Sequence, residues 1–132
     1  MPEMPNEVKL LCDALYDKKA VDIVAIHVGD KTIVADWFVI ASGRSVPQIK
    51  AMCDDVEEKA AAAGMELRRT EGYSAGRWIV LDYSDILVHM FHPEERQYYN
   101  MERLWESDED TVHYSALRDA EEAKKAAERT EA

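Results

Sequence analysis

The sequence predicts a mixed α/β fold in which a five-stranded mixed sheet is covered by helices. The chain has 132 residues, which suits one domain with a sizeable apolar core. Short apolar runs bounded by turn residues alternate with segments in which apolar residues recur at helical spacing. Two predicted strands precede the second helix with a short connection between them, which excludes a purely parallel sheet.

The first half of the chain predicts a helix, two strands and a second helix. Asn6 is a candidate N-cap for the first helix, whose apolar residues fall on one face. The runs 22–28 and 37–41 are apolar without alternation, which predicts strands covered on both faces. Ser45 opens a capping box, and Gly64 ends the apolar stripe of the second helix.

The second half predicts three strands and a short helix. Residues 65–70 form a weak alternating strand, while residues 77–83 and 86–91 form a hairpin with a short connection. Pro93 begins a helix, because proline is favoured at the first helical position. After Glu106 the composition becomes acidic and then rich in alanine, glutamate and lysine.

This change in composition predicts two parts of the chain. Residues 1–106 are expected to form the folded domain. Residues 107–132 are expected to form a tail that is a frayed helix or disordered, because it has little apolar surface to bury.

The charge balance restricts the classes of partner. The chain has 16 Lys and Arg against 27 Asp and Glu, a formal net charge of −11. A surface of that sign repels phosphate backbones, so we expect no broad nucleic-acid interface and a basic partner. No apolar run approaches the ~18 residues of a membrane span and no secretory signal is present, which predicts a cytoplasmic protein without membrane contact. Cys12 and Cys53 lie on apolar helix stripes without disulfide or zinc spacing, which suits a reducing compartment.

The motif Gly43-Arg44-Ser45 precedes a helix and could hold a phosphate at the helix N-terminus. It resembles the entry of nucleotidyltransferases, which also need two carboxylates, two residues apart on a strand, to bind magnesium. The next predicted strand offers only Glu66. A turn followed by an N-cap explains the motif without a ligand, and a nucleotide-binding enzyme is kept as the alternative.

Asp82 and Asp85 could form a catalytic pair, although residues three apart on a strand point to opposite faces. With His89 and a metal ion they would suit a hydrolase, and His89 with His92 could begin a metal site. The structural explanation is that the aspartates fix a turn, while the histidines lie in a strand and at its end. We therefore predict no catalytic residue, no metal site and no cofactor.

The strand that opens at Trp78 has two different faces. Trp78, Val80 and Asp82 share one face, and Ile79, Leu81 and Tyr83 share the other. An apolar strand face with Trp and Tyr has the composition of a partner-binding hot spot. A sheet buried on both faces would give the same pattern, and both explanations stay open.

Longer motifs resemble a known family. Residues 18–23 resemble its Lys-Lys-Ala pattern followed by Asp-Ile, and residues 36–45 resemble its Asp-Tyr-Phe-Val-Ile-Ala-Ser-Gly-Thr-Ser. Residues 78–91 resemble its signature Trp-Val-Leu-Leu-Asp-Tyr-Gly-Asp-Val-Val-Val-His-Val-Phe, and the segment from Arg96 to Trp105 is similar to its ending. On these motifs the chain resembles the Iojap, or ribosomal silencing factor, family.

The resemblance implies a fold similar to nucleotidyltransferases without their catalytic carboxylates, and a role without catalysis. Members of this family bind the large ribosomal subunit through its protein fourteen and block association with the small subunit. This slows translation when nutrients are short, and members also form homodimers. The strand from Trp78 would be the apolar anchor. The predicted partner-binding residues are Trp78, Ile79, Val80, Leu81, Tyr83 and Asp85.

Two residues depart from the family motifs. Trp37 replaces the usual tyrosine, which is a tolerable exchange of one aromatic residue for another. Ser84 stands where the common signature has glycine. If the turn requires a positive φ, serine costs on the order of 1 kcal/mol there.

Overall fold

The computed structural model describes residues 2–131, and these contain five helices and six strands. In chain order they are α1 (Asn6–Asp17), β1 (Val21–His27), β2 (Trp37–Ser42), α2 (Val46–Ala62), β3 (Arg69–Glu71), β4 (Trp78–Asp82), β5 (Ile86–Phe91), α3 (Pro93–Tyr99), α4 (Glu102–Trp105), β6 (Thr111–His113) and α5 (Tyr114–Glu131). No helix in this part of the chain is long and apolar enough to cross a bilayer.

All six strands join one sheet in the order β3-β4-β5-β2-β1-β6. Strands β2 and β5 run parallel, and the other neighbours run antiparallel. The predicted mixed α/β class is confirmed, but the expected number of five strands is wrong. The additional strand, β6, comes from the segment that was expected to be an acidic tail.

Local contacts bring the acidic segment to the sheet. The Lys31 Nζ lies 3.0 Å from an Asp110 carboxylate oxygen, and the Ser107 hydroxyl donates to the same oxygen at 3.0 Å. These two groups hold the pKa of Asp110 below its usual value. The Asp110 carbonyl accepts a hydrogen bond from the His27 amide at 2.8 Å, which sets β6 beside β1.

The segment after β6 is helical through Glu131, and its first turns are anchored. The Ile23 amide donates to the Ser115 hydroxyl at 2.8 Å. The Arg118 guanidinium lies 2.7 Å from an Asp13 carboxylate oxygen, so α5 is tied to α1. Most later residues of α5 are exposed, as expected for a charged, alanine-rich sequence. A domain boundary at residue 106 stays a prediction.

Helices cover both faces of the central strands, as predicted. Helices α1 and α2 pack on one face, where the core includes the free, buried Cys12 and Cys53. The second face carries a smaller core, and Met101 and Trp105 from the α4 region pack against it. Its buried members are Val24, Ile26, Val28, Ala35, Phe38, Ile40 and Phe91.

The local start and stop signals are mostly confirmed. The Ser45 side chain caps α2 by accepting from the Gln48 amide at 3.3 Å, and Gly64 follows the helix with a φ of 81°. At α1 the N-cap is Pro5, and Asn6 is the first helical residue. The strand expected over 65–70 is shorter and starts later, since residues 65–68 are outside any strand and β3 is an exposed edge strand over Arg69–Glu71.

The turn between β4 and β5 places Ser84 at a φ of 75°, a region that favours glycine. The Ser84 amide donates to the Asp82 carboxylate at 2.8 Å, so Asp82 fixes the turn. We expect Ser84→Gly to raise the free energy of unfolding by about 0.5–1 kcal/mol, because the strain of a left-handed serine is removed. Urea denaturation measures the difference.

The reverse substitution at a similar position is the matched control. Gly72 has a φ of 80°, and an added Cβ would collide with the Trp78 carbonyl oxygen. Gly72→Ser is therefore expected to destabilise the protein while Ser84→Gly stabilises it. An unchanged or lower midpoint for Ser84→Gly would contradict the interpretation of this turn as strained.

Candidate functional site

Strand β4 divides most of the predicted partner-binding residues between its two faces. Ile79 and Leu81 are 0% exposed and Tyr83, just after the strand, is 8% exposed. All three belong to the core under α1 and α2, so they support the strand and offer almost no side-chain surface. Burial raises the pKa of the Tyr83 hydroxyl to about 12, so this residue stays neutral in the core.

Trp78 and Val80 lie on the other face, where they are partly buried. The Trp78 ring stacks on Phe91 with 4.8 Å between the centroids, and its centroid is also 4.8 Å from that of Tyr99. The indole N–H of Trp78 donates to Nδ1 of His89 at 3.2 Å. These contacts hold the indole in one orientation while part of it remains open to solvent.

Tyr98 and Tyr99, at the end of α3, extend the open region. They are 82% and 52% exposed, and their ring centroids are 5.0 Å apart. Leu87 is partly buried on β5, on the same sheet face. We call Trp78, Val80, Leu87, Tyr98 and Tyr99 the aromatic surface. Sequence reasoning missed its last three members, although the Tyr-Tyr pair on a short helix without buried residues was an available signal.

Asp85 lies apart from the aromatic surface. The register pairs Trp78 with Phe91 and Asp82 with Leu87, so Trp78 and the turn that holds Asp85 are at opposite ends of the hairpin. The Asp85 side chain is exposed, and its backbone carbonyl accepts from the amides of Asp36 and Trp37, where the β1–β2 connection enters β2. The structure therefore does not bring Asp85 together with Trp78.

A small ionic network places the start of α3 beside Trp78. Arg77 donates to Glu95 at 2.8 Å and to Glu94 at 3.1 Å, and it lies 3.2 Å from Nδ1 of His92. The same His92 nitrogen accepts from the Glu94 amide at 3.2 Å, so His92 is the N-cap of α3. This role at the strand end agrees with the structural explanation that the sequence suggested.

Arg96 joins the α3–α4 segment to the sheet. Its guanidinium donates to the Val21 carbonyl at 3.2 Å, to the Ser42 hydroxyl at 3.0 Å and to Glu102 at 3.2 Å. The Arg96 side chain is only 12% exposed. Sequence reasoning placed Arg96 in the family ending but gave it no role, because its partners lie far away in the chain. Through these contacts Arg96 positions α3, the helix that carries Tyr98 and Tyr99.

The Gly43-Arg44-Ser45 motif is used for packing and capping. A Cβ at Gly43 would lie 2.7 Å from Cγ1 of Ile49, so only glycine fits without movement. The Arg44 amide donates to the Gln48 side chain at 2.6 Å, and Ser45 caps the same helix. These contacts explain the motif without a phosphate. Glu66 lies outside any strand.

The residues considered for hydrolysis also have structural roles. Asp82 accepts from the Ser84 amide, and His89 accepts from Trp78. Burial lowers the pKa of His89 to about 4, so the ring is neutral near pH 7. Within residues 2–131, three clusters bring possible metal-ligand atoms within 4.8 Å of one another. One of them joins His92 with Glu94 and Glu95, and none includes Asp82, Asp85 or His89.

Comparisons with known proteins agree on one family. The family model described as "RsfS: Ribosomal silencing factor during starvation" matches residues 1–132. The ribosomal silencing factor of Halalkalibacterium halodurans is 40% identical over 98 residues, which are 74% of this chain and 84% of that protein. A Mus musculus relative, named mitochondrial assembly of ribosomal large subunit protein 1, is 28% identical over 102 residues, covering 75% of this chain and 45% of that protein.

A solved structure extends the agreement to the fold. The crystal structure of a protein from Chromobacterium violaceum has a TM-score of 0.75 and 34% sequence identity, and the match covers 79% of this chain and 87% of that one. The fold, the sequence motifs and the family model thus lead to the same group of proteins. This chain belongs to the ribosomal silencing factor family.

Proposed function

We propose that this protein binds the large ribosomal subunit through ribosomal protein fourteen and sterically blocks association with the small subunit. Translation is thereby repressed when nutrients are limiting. The family membership supports a role at the ribosome, and the name of the mouse relative connects that protein to the large subunit. Cytoplasmic action is part of the proposal, because ribosomal subunits join there in bacteria.

The observation that carries the proposal is the aromatic surface. Trp78, Tyr98 and Tyr99 form a chain of ring contacts that is partly open to solvent at one edge of the sheet. Aromatic side chains are enriched at the centres of protein interfaces, where they bury a large area with few rotatable bonds. Phe91 and His89 hold the Trp78 ring in place, so little of its side-chain freedom is lost on docking.

The charge of the protein supports a protein partner over RNA. A net charge of −11 opposes contact with ribosomal phosphates and favours approach to a basic ribosomal protein. Asp82 and Glu94 lie near the aromatic surface but are paired with Arg69 and Arg77, so the attraction comes from the net charge of the whole protein. We expect association to slow as salt concentration rises, because the attraction is screened.

The proposed mechanism requires occupancy and no catalysis. A bound factor prevents subunit joining when it covers part of the face that the small subunit needs. The only energetic requirement is a higher affinity for the free large subunit than for the joined ribosome. The capping and turn roles of Ser45, Asp82 and His92 support this function, because they account for these residues without a reaction.

We also propose that the protein is a homodimer. Ile33 and Val34, in the β1–β2 connection, are 105% and 62% exposed, and aliphatic side chains this exposed suit a contact with another protein surface. Sedimentation velocity of the free protein is expected to give twice the monomer mass of 15.1 kDa. A single species at the monomer mass over the micromolar range would reject the dimer and leave the ribosome proposal intact.

Sedimentation in sucrose gradients tests the main proposal. The full chain is mixed at physiological salt with purified large subunits, small subunits or joined ribosomes. We expect it to migrate with the large subunit alone, and we expect added protein to lower the yield of joined ribosomes. Protein that stays at the top of every gradient would reject the proposed function.

A second experiment tests the identity of the partner. Isolated ribosomal protein fourteen is titrated with the full chain by calorimetry, with another basic ribosomal protein of similar size as the control. Saturable binding to protein fourteen alone is expected. Binding to large subunits without binding to isolated protein fourteen would show that the docking site is elsewhere on the subunit.

A further inference from the structure

Strand β3 is an open edge of the sheet, beside the strand that carries Trp78 and Val80. All three of its residues are exposed, and no strand among residues 2–131 pairs with its outer side. Helix α2 packs over β4 and β5, which lie one and two strands inside this edge, so the outer side of β3 stays open. An open strand edge is a place where a second chain can add to a sheet.

The hydrogen bonds of the β4–β5 hairpin show which backbone groups of β3 are free. Just before and just after β4, the Arg77 carbonyl and the Tyr83 amide both form hydrogen bonds with the β5 side of the hairpin, at 2.8 and 2.9 Å. Backbone groups alternate in direction along a strand, so the odd-numbered residues of β4 bond to β5 and the even-numbered ones to β3. The even-numbered residues opposite β3 pair with Arg69 and Glu71. The N–H and C=O groups of Thr70, which lies between these two, therefore face away from the sheet.

The charges of β3 are complementary to a second copy of the same strand. Arg69 and Glu71 lie on one face, where they form an exposed ion pair at 3.3 Å that contributes little to the stability of one chain. An antiparallel pairing centred on Thr70 sets Arg69 of each copy opposite Glu71 of the other. Edges that are protected against pairing commonly carry lysines, which repel a second copy. Two opposite charges placed symmetrically about Thr70 attract one instead.

Two exposed apolar side chains lie at equal distances along the chain from Thr70. Leu67 is three residues before it and Tyr73 three residues after it, and they are 36% and 38% exposed. The same antiparallel pairing brings the segment around Leu67 of one copy beside the segment around Tyr73 of the other. Both ends of the contact therefore have apolar area to bury.

We propose that β3 is the dimer interface of this protein, where it pairs antiparallel with β3 of a second copy about a two-fold axis at Thr70. The inference rests on the proposed homodimer and assigns a surface to it. The two Thr70 residues exchange their free backbone hydrogen bonds, and the two six-stranded sheets become one continuous sheet. The two-fold axis is perpendicular to this sheet, so both aromatic surfaces lie on the same face of the dimer.

Charge substitutions test the pairing independently of stability. Arg69→Glu leaves two acidic residues on β3 and Glu71→Arg leaves two basic ones, so each variant repels a copy of itself. In sedimentation velocity at physiological salt, we expect each variant alone to dimerise about tenfold more weakly than the wild type. An equimolar mixture of the two variants is expected to form heterodimers at the wild-type affinity or better, because an acidic strand then meets a basic one.

Thr70→Pro tests the backbone contribution to the interface. Proline is tolerated in an edge strand where the N–H faces solvent, so we expect wild-type circular dichroism and a monomer. Thr70→Val is the matched control, because it keeps the N–H and removes only the hydroxyl that donates to Glu57 at 3.2 Å. This control is expected to dimerise like the wild type. If the proline variant does not fold, the mixture of charge variants decides the question.

The outcomes separate this interface from the homodimer itself. A dimer that persists in folded Thr70→Pro, or charge variants that do not form heterodimers when mixed, overturns the inference. Loss of the dimer in Ile33→Ser without loss in the β3 variants also overturns it, leaves the homodimer in place and assigns the contact to the exposed β1–β2 connection. If the wild type is a monomer, the proposed homodimer fails and the inference fails with it.

Discussion

Trp78→Ala is expected to weaken binding to the large ribosomal subunit by about 2 kcal/mol or more, which is roughly a 30-fold loss of affinity. Trp78 is at the centre of the aromatic surface, where it contacts both Phe91 and Tyr99. Truncation removes its apolar area and leaves the partner groups that met it partly exposed. Co-sedimentation over a range of protein concentrations gives the affinity of each variant.

Trp78 also packs against the second core, so its removal is expected to lower stability as well. Circular dichroism and thermal unfolding of the same sample separate a weaker interface from an unfolded protein. Tyr73→Ala is the matched control, because Tyr73 is an exposed aromatic in the preceding loop whose hydroxyl bonds Asp54, away from the aromatic surface. Full affinity in a folded Trp78→Ala variant would place the anchor elsewhere.

Arg96→Met is expected to lower the free energy of unfolding by about 3 kcal/mol. Methionine retains most of the apolar stem and removes the guanidinium. The Val21 carbonyl and the Ser42 hydroxyl lose a donor, and Glu102 becomes a carboxylate without a partner at 19% exposure. Chemical denaturation followed by tryptophan fluorescence measures the change, since Trp105 is on the segment that Arg96 holds.

Arg103→Met is the control for charge removal, because Arg103 is on α4, the next short helix, and is exposed. Its effect is expected to stay within about 0.5 kcal/mol. Adding Glu102→Gln to Arg96→Met is expected to restore part of the lost stability, because the unpaired charge is removed. Equal midpoints for Arg96→Met and Arg103→Met would show that the Arg96 contacts contribute nothing measurable.

Local signals in the sequence were sufficient for most elements. Ser45 and Gly64 mark the ends of α2 because capping and left-handed termination depend on residues within one turn. The apolar runs that became β1 and β2 identify strands covered on both faces, since burial removes the need for alternation. The positive φ of Ser84 could also be anticipated, because the family signature has glycine at this position.

Long-range contacts determine the features that local sequence patterns could not predict. Strand β6 pairs with β1, and the Lys31–Asp110 ion pair lies beside that pairing; both contacts join residues that are far apart in the chain. The alternation in β4 correctly separated Trp78 and Val80 from Ile79 and Leu81, but it could not show which face the helices cover. Tyr98 and Tyr99 joined Trp78 because Arg77 and Arg96 fix the path of α3, and no local pattern encodes that path.

The pairing of β6 with β1 has a consequence for biosynthesis. The partners are Thr111 with Ile26, Val112 with Ala25 and His113 with Val24, so one of the earliest strands pairs with one of the last. While the chain emerges from the exit tunnel, β1 can pair with β2 but its other edge stays open. Unpaired amides and carbonyls along an apolar strand are a template for aggregation and a target for chaperones. The nascent protein keeps this edge uncovered until residues 111–113 have been made and have left the tunnel.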